Sequence, residues 1–146
     1  MKANTKRNNY KITIHDIHTV DGESSDTTMT VFGNMESKDN GYRVTYIEQS
    51  GELEGCLTEV IFEDDTPSVA IRRRGPSEME LLLEKGKRHN CVYSIPEGNL
   101  VMGVDTRRIN SDMDDQGGTL DLVYDIDFNA GFVSQNTLQI SVKEIL

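Results

Sequence analysis

The chain has no tryptophan at all, only three prolines and two cysteines in 146 residues, and fewer basic than acidic side chains, 15 Lys and Arg against 25 Asp and Glu. Each shortage excludes something. Cys56 and Cys91 stand far apart, with no Cys-x-x-Cys and no neighbouring His pattern. Neither a disulfide framework nor a zinc site is indicated, and both thiols are expected to be free and buried. The formal net charge is -10 and the pI is near 4.7. Non-specific nucleic-acid affinity comes from neutralising phosphates with Lys and Arg, so nucleic acid and anionic membrane are not expected partners. No run of about 18 apolar residues is present to span a bilayer. The basic opening MKANTKRNN is followed by no apolar segment of the kind a secretory signal needs. A cytoplasmic location is the expectation. Gly-x-Ser-x-Gly, a Gly-rich phosphate loop and a His-carboxylate-Ser set are also missing, so no catalytic residues and no cofactor are assigned.

What is present is a period of two. In TLDLVYDIDF, Leu120, Leu122, Tyr124, Ile126 and Phe128 share one face, and Thr119, Asp121, Val123, Asp125 and Asp127 share the other. That is the pattern of a half-buried strand. The same alternation runs through YKITI, TMTVFGNM, YRVTYIE and TEVIFE, and further strands are read in SVAIRR, EMELLLE, HNCVYSI, NLVMGVDT and TLQISVKEI. EMELLLE also suits a helix, because Pro and Ser precede it and it is rich in helix formers. Its Met79, Leu81, Leu83 spacing and its neighbours favour a strand.

Turn residues fall between these runs at about every eight to twelve positions. They are Asp21-Gly22, Asn40-Gly41, Gly51, Asp64 to Pro67, Gly75-Pro76, Lys85-Gly86, Pro96 to Gly98 and Gly117-Gly118. The length suits one domain over 1–146, with 1–9 as a flexible tail. So many short strands, each with one apolar face, cannot remain an open sheet without leaving long edges, and closure removes them. The expectation is all-β: a single antiparallel, mostly up-and-down barrel of about eight to ten strands, with room inside for side chains or one small ligand. Met29, Met79 and Met102, with Phe32, Phe62 and Phe128 in or near the inward phase, are candidates to fill that space.

Three consecutive arginines end the run VAIRRRG. If Val69 and Ile71 point inward, so does Arg73, while Arg72 and Arg74 point to water. A guanidinium cannot shed its charge, so an inward arginine needs a carboxylate, several carbonyls or a bound anion. The phase of Tyr42, Val44 and Tyr46 makes Glu48 the inward carboxylate, and the two are expected to approach each other inside the barrel or at one mouth. Two readings of the pair stand. One is a satisfied ion pair that fixes strand register. The other is a ligand site in which Arg73, Glu48, Tyr93, Thr106 and Tyr124 form a polar patch for a small carboxylate or phosphate. A pocket on the order of 300 Å³ lined by Arg73 would favour the second. A fully packed barrel acting as a protein-interaction module or homodimer is the alternative function.

Metal binding is not assigned. His15 and His18 are an odd number of positions apart on a strand, so they face opposite sides, and His89 is remote. INSDMDDQGG places Asp112 and Asp114 like the start of a calcium loop, but Asp115 stands where that loop needs glycine, and a solvated hairpin is expected.

The motifs Tyr46-x-Glu48, Arg73-x-Gly75, Glu78-Met79, Glu84-x-Gly86, Tyr93-x-x-Pro96-x-Gly98, Thr106, Gly117-Gly118-Thr119-Leu120 and Tyr124 occur in an order and spacing that resembles the YwiB-like family. These are uncharacterised bacterial proteins, mostly from Gram-positive bacteria, with a lipocalin-like (calycin-like) β-barrel. The resemblance runs from about Ile12 to the C-terminus and implies a fold but no activity. Ile95 stands where the family has threonine and Glu97 where it often has an aromatic residue. The Gly-x-Trp of true lipocalins is missing, so secreted-lipocalin function does not carry over.

Overall fold

The alternation resolves into ten antiparallel strands: β1 (Tyr10–Val20), β2 (Glu23–Lys38), β3 (Gly41–Ile47), β4 (Leu57–Glu63), β5 (Ser68–Arg74), β6 (Glu78–Glu84), β7 (Arg88–Ile95), β8 (Gly98–Asp114), β9 (Gly117–Phe128) and β10 (Phe132–Glu144). The computed structural model describes residues 9–38, 40–49, 54–63, 68–76, 78–128 and 132–145, without the side chains of Ile95 and Phe132. Each strand pairs with its neighbours in sequence, and β1 also pairs with β10, which closes the barrel. The closing ladder sets Tyr10 against Glu144, Ile12 against Val142 and Ile14 against Ile140. It is an up-and-down meander with no crossover, as the turn spacing requires.

Alternate residues turn inward and fill the barrel. Ile12, Val44, Val60, Phe62, Val69, Ile71, Leu83, Val104, Leu120, Leu122 and Ile140 are almost fully buried, and the rings of Tyr42 and Phe62 pack in a tilted pair with centroids 5.9 Å apart. Met102 is buried and Met29, Met79 and Phe128 pack against the core, but Phe32 points outward and is 56% exposed. It belongs to the opposite phase from Val31 and Gly33, and pleat parity overrides its hydrophobicity. Both cysteines are buried, and neither forms a disulfide among the described residues.

EMELLLE is a strand. Leu81 and Leu83 are buried opposite Ile71 and Val69 of β5, and this ladder outweighs the helix propensity of Glu, Met and Leu. The long β2 changes partner part-way, pairing with β1 through Gly33 and with β3 from Asn34 onward. A Cβ on Gly33 would stand 2.3 Å from the carbonyl oxygen of Thr45, so the crossing strands need glycine there. Gly117 and Gly118 are not the turn expected of them. They lie inside β9, with φ of 130° and 147°, and the β8–β9 hairpin turns at Asp115 and Gln116. Gly51, Asp64 to Pro67 and residues 1–8 of the expected tail lie outside the described residues.

β6 and β7 pair only at Glu78 with Ser94 and Met79 with Tyr93. Beyond that point the strands diverge. The connection after β6 bonds instead to β8, the Gly86 amide donating to the Thr106 carbonyl at 3.0 Å, and β8 shifts register between Thr106 and Arg108. Glu84 and His89 bridge the gap at 2.8 Å.

Candidate functional site

Two rows of inward side chains converge near the end of the barrel that carries the β1–β2, β3–β4, β5–β6, β7–β8 and β9–β10 turns. Residues directly opposite in antiparallel strands share a face. The ladders therefore link Tyr46, Thr58, Arg73, Met79, Tyr93 and Leu100 in one row from β3 to β8. A second row links Thr106, Tyr124, Asn136 and His18 from β8 through β9 and β10 to β1. The first row is polar on β3 to β5 and apolar on β6 to β8.

Arg73 faces inward, as its phase requires. Its side chain is 21% exposed, against 41% for Arg72 and 61% for Arg74. Arg72 pairs with Glu80 on the outer wall, and Arg74 with Glu59 at 3.5 Å. Arg73 Nε lies 3.5 Å from Glu48 Oε2, and Nη1 lies 3.9 Å from the Met79 sulfur. The expected approach of Arg73 and Glu48 is present. Glu48 is 6% exposed and also accepts a hydrogen bond from the buried Thr58 hydroxyl at 2.8 Å. The hairpin is pinned there by backbone bonds, the Glu48 amide to the Cys56 carbonyl at 2.9 Å and the Gly55 amide to the Glu48 carbonyl at 3.0 Å.

That pair leaves polar capacity over. Among the described residues, the buried Arg73 Nε has no aligned hydrogen-bond acceptor and the hydroxyl of the buried Thr106 has no partner. Buried donors are rarely left so, and those that are call for an explanation. Tyr124 lies opposite Thr106, and burial pushes its phenol up to about 12, with Asp16 adding to the shift and Arg73 opposing it. Burial, then the charge of Glu48, raises the Tyr46 phenol further. Tyr93 sits in the apolar part of its row, between Met79 and Leu100, and makes no hydrogen bond to Arg73. Of the five residues expected in the site, Arg73 and Glu48 touch, Tyr124 lies within electrostatic reach of Arg73, Thr106 stands beside Tyr124, and Tyr93 lines the rim.

Sequence reading left Asp16, Ser134 and Asn136 out and weighed His18 only as a metal ligand. Asp16 and His18 continue the inward phase of Tyr10, Ile12 and Ile14, a signal that was available. His18 Nδ1 donates to Asn136 Oδ1 at 2.7 Å, and Asn136 Nδ2 donates to Ser134 Oγ at 3.2 Å. Burial raises the Asp16 carboxyl above its ordinary value, opposed by His18, Arg73 and His15. His15 is on the other face, near Asp26 and Gln139. Among the described residues no group of three or more His, Cys, Asp or Glu is placed to hold a metal ion.

Two clefts open at this end. One, of about 350 Å³, is lined by all three arginines, Glu78, Met79, Glu80, Val92 and Ser94. The other, of about 540 Å³, is lined by Asn99, Leu100, Val101 and Phe128.

Residues 12–140 match the model of a family described as a domain of unknown function, DUF1934. The chain belongs to this family. The crystal structure of the YwiB protein from Bacillus subtilis superposes on this DUF1934 barrel with a TM-score of 0.82 at 20% identity, covering 94% of this chain and 92% of that one. At that identity the likeness speaks for the fold, which is the one the YwiB-like motifs imply. No curated protein sequence matches the chain.

Proposed function

We propose that this barrel binds a small amphipathic carboxylate at the mouth, with the carboxylate on Arg73 and the apolar part against Met79, Tyr93, Leu100 and Phe128. The observation that carries the reading is the inward guanidinium, whose buried Nε has no aligned acceptor among the described residues, beside a cleft of about 350 Å³ that Arg73 and Met79 line together with Arg72, Arg74, Glu80 and Val92 of the outward phase. A cleft of that size suits a small ligand, and the arginines that line it suit an anionic one. Glu48 and Asp16 share the space with Arg73. A singly charged ligand therefore meets less repulsion there than a doubly charged phosphate.

A cytoplasmic setting goes with this reading. The outer wall carries ion pairs such as Arg72–Glu80, Arg88–Asp127 and Arg107–Asp125, where a lipid-facing barrel carries an apolar band. No described helix is long and apolar enough to cross a membrane. Native mass spectrometry of protein purified from its own host tests the binding. The expected result is an added small-molecule mass on the wild type that is lost in Arg73→Met; an adduct of equal occupancy on both would overturn the reading.

A second reading rests on Val92 and Val101, which neighbour each other on the outward face of β7 and β8 and are about half exposed. They suit a contact between two copies of the chain. Sedimentation at rising concentration tests it, with Val101→Lys expected to hold the protein as a monomer; a wild type that stays monomeric ends it.

A further inference from the structure

The cleft of about 350 Å³ that reaches Arg73 lies against the β5–β6–β7 wall rather than on the barrel axis, because residues of both phases bound it. Arg73 and Met79 belong to the inward phase, and Arg72, Arg74, Glu80 and Val92 to the outward one. Two of these residues mark where the wall stops being a continuous sheet. The β6–β7 ladder consists of Glu78 with Ser94 and Met79 with Tyr93, and Glu80 and Val92 stand at the next position along it, where pairing has ended. The flanking ladders are long. β6 pairs with β5 from Arg73–Met79 to Ser68–Glu84, and β7 with β8 from Arg88–Asp105 to Ile95–Gly98. Arg88 adds bonds from β7 to Asp105 of β8 and Asp127 of β9. Local opening favours the place where fewest hydrogen bonds break, so this wall parts most readily between β6 and β7.

At the far end of this seam, one side-chain bond spans it among the described residues: His89 Nε2 lies 2.8 Å from Glu84 Oε1. The ladders put His89 in the inward phase, opposite the buried Val104, and Glu84 in the outward phase, opposite Ser68. In a continuous sheet two such residues project to opposite faces, so their contact marks the separation of the strands. Lys87 stands 3.5 Å from the same carboxylate. The hydrogen bond with His89, helped by Lys87, holds the Glu84 carboxyl below its ordinary value, as a favourable contact does.

Resting on the carboxylate reading of Arg73, we propose that the β6–β7 seam is a side entrance to that site. The cleft is its vestibule, the two backbone pairs beside it are the bar that parts, and the Glu84–His89 contact is the latch at the other end. A carboxylate arriving from solvent meets Arg72 and Arg74 on the outer wall and passes between Glu80 and Val92 to Arg73. An amphipathic ligand suits that route. Parting the strands uncovers Leu81, Leu83 and Cys91, which are buried behind the seam and offer its apolar part a surface to follow. An entrance of this kind governs rates and leaves affinity to Arg73, which separates it from the binding site itself.

Exchange of hydrocinnamate, a small amphipathic carboxylate, followed by NMR line shape tests the route. Glu78→Cys with Ser94→Cys places two thiols directly opposite each other, where a disulfide can staple the bar. Oxidised, this variant should take up and release the probe at least about tenfold more slowly than the same variant reduced. His89→Gln should speed both rates. Hydrogen exchange of the free protein is the check that needs no ligand: amides of β6 and β7 should exchange faster than those of the β8–β9 ladder, and faster still in His89→Gln. A staple that leaves the probe's rates unchanged, or amides of β6 and β7 protected as well as those of β8–β9, would end the side entrance. The carboxylate reading would survive that result if Arg73→Met still weakens binding. Hydrocinnamate that does not bind folded wild type, or binds Arg73→Met equally well, would overturn both.

Discussion

The two ends of the barrel obey one alternation and hold opposite kinds of side chain. Toward the end that carries the chain termini, the inward positions are Tyr10, Met35, Phe62, Val69, Leu83, Leu120 and Val142, all buried. Toward the mouth, the same phase delivers Asp16, His18, Glu48, Thr58, Arg73, Thr106, Tyr124 and Asn136. The pleat decides which way a side chain points, and residue type decides what that burial is worth. Apolar packing at one end supplies the stability that lets the other carry charges and, among the described residues, the unpartnered hydroxyl of Thr106. The contrast predicts that truncation at the packed end unfolds the protein, while changes at the mouth mainly alter what it binds.

The largest expected effect is therefore Phe62→Ala. Removing a fully buried ring that packs against Tyr42 should cost about 3–5 kcal/mol in urea unfolding; a loss well below about 1 kcal/mol would mean that this end collapses without penalty. Next comes Arg73→Met, which strips Glu48 of its cation and should cost about 2–3 kcal/mol, less than for a fully buried pair because Thr58 still donates to the carboxylate. Arg72→Met, on the outer wall, should stay within about 0.5 kcal/mol. Adding Glu48→Gln should recover part of the Arg73→Met loss, since the stranded charge is then gone. Equal, small effects from Arg72 and Arg73 would erase the distinction between lumen and surface.

How far the sequence carried this picture differs between the two ends. Strict alternation in β9 and in the runs ending at Phe62 and Ile71 made the packed end legible, because a shift by one residue would expose a whole face. Parity alone also brought Arg73 and Glu48 together. Parity does not say which strands lie opposite across a lumen, so the facing of Asp16 and Arg73 was invisible without the closed ring. Ser134 and Asn136 precede the apolar run by which β10 was read, and Phe32 was placed by hydrophobicity where parity sends it outward. The hydrogen bond from Thr58 to Glu48 depends on the β3–β4 register, which a pattern along one strand does not fix. The two glycines of β9 look like a turn because positive φ and turns share a preference for glycine.

Asp16→Asn sharpens the comparison with a smaller effect. Its carboxyl is raised by burial, so the fold holds the proton more tightly than the unfolded chain does. The resulting stability is fully present below the unfolded value and lost as pH rises through the folded one. Asp16→Asn has no such term, so its melting temperature relative to wild type should climb as pH rises across that interval and then level off. A difference independent of pH would mean that the carboxyl is as well solvated as a surface acid.

The smallest effect lies on the outer wall, where charge is handled by direct pairing. Arg88 from β7 donates to Asp105 of β8 at 3.0 Å and to both oxygens of Asp127 of β9, at 2.6 and 2.9 Å. Gly103 leaves it the space, since a Cβ there would fall 1.9 Å from Arg88 Nη2. The hydrogen bonds from Arg88 hold the Asp127 carboxyl below the usual carboxylate range. The sign is opposite to that of Asp16: this stability is present above the unfolded value and lost as pH falls through the folded one. Carbon-detected NMR titration should find Asp127 ionising at lower pH than Asp16, and Arg88→Gln should bring Asp127 back up while leaving Asp16 in place. If the two acids titrate together in the wild type, the lumen and the outer wall do not differ in how they hold charge, and the case for a specialised mouth weakens with them.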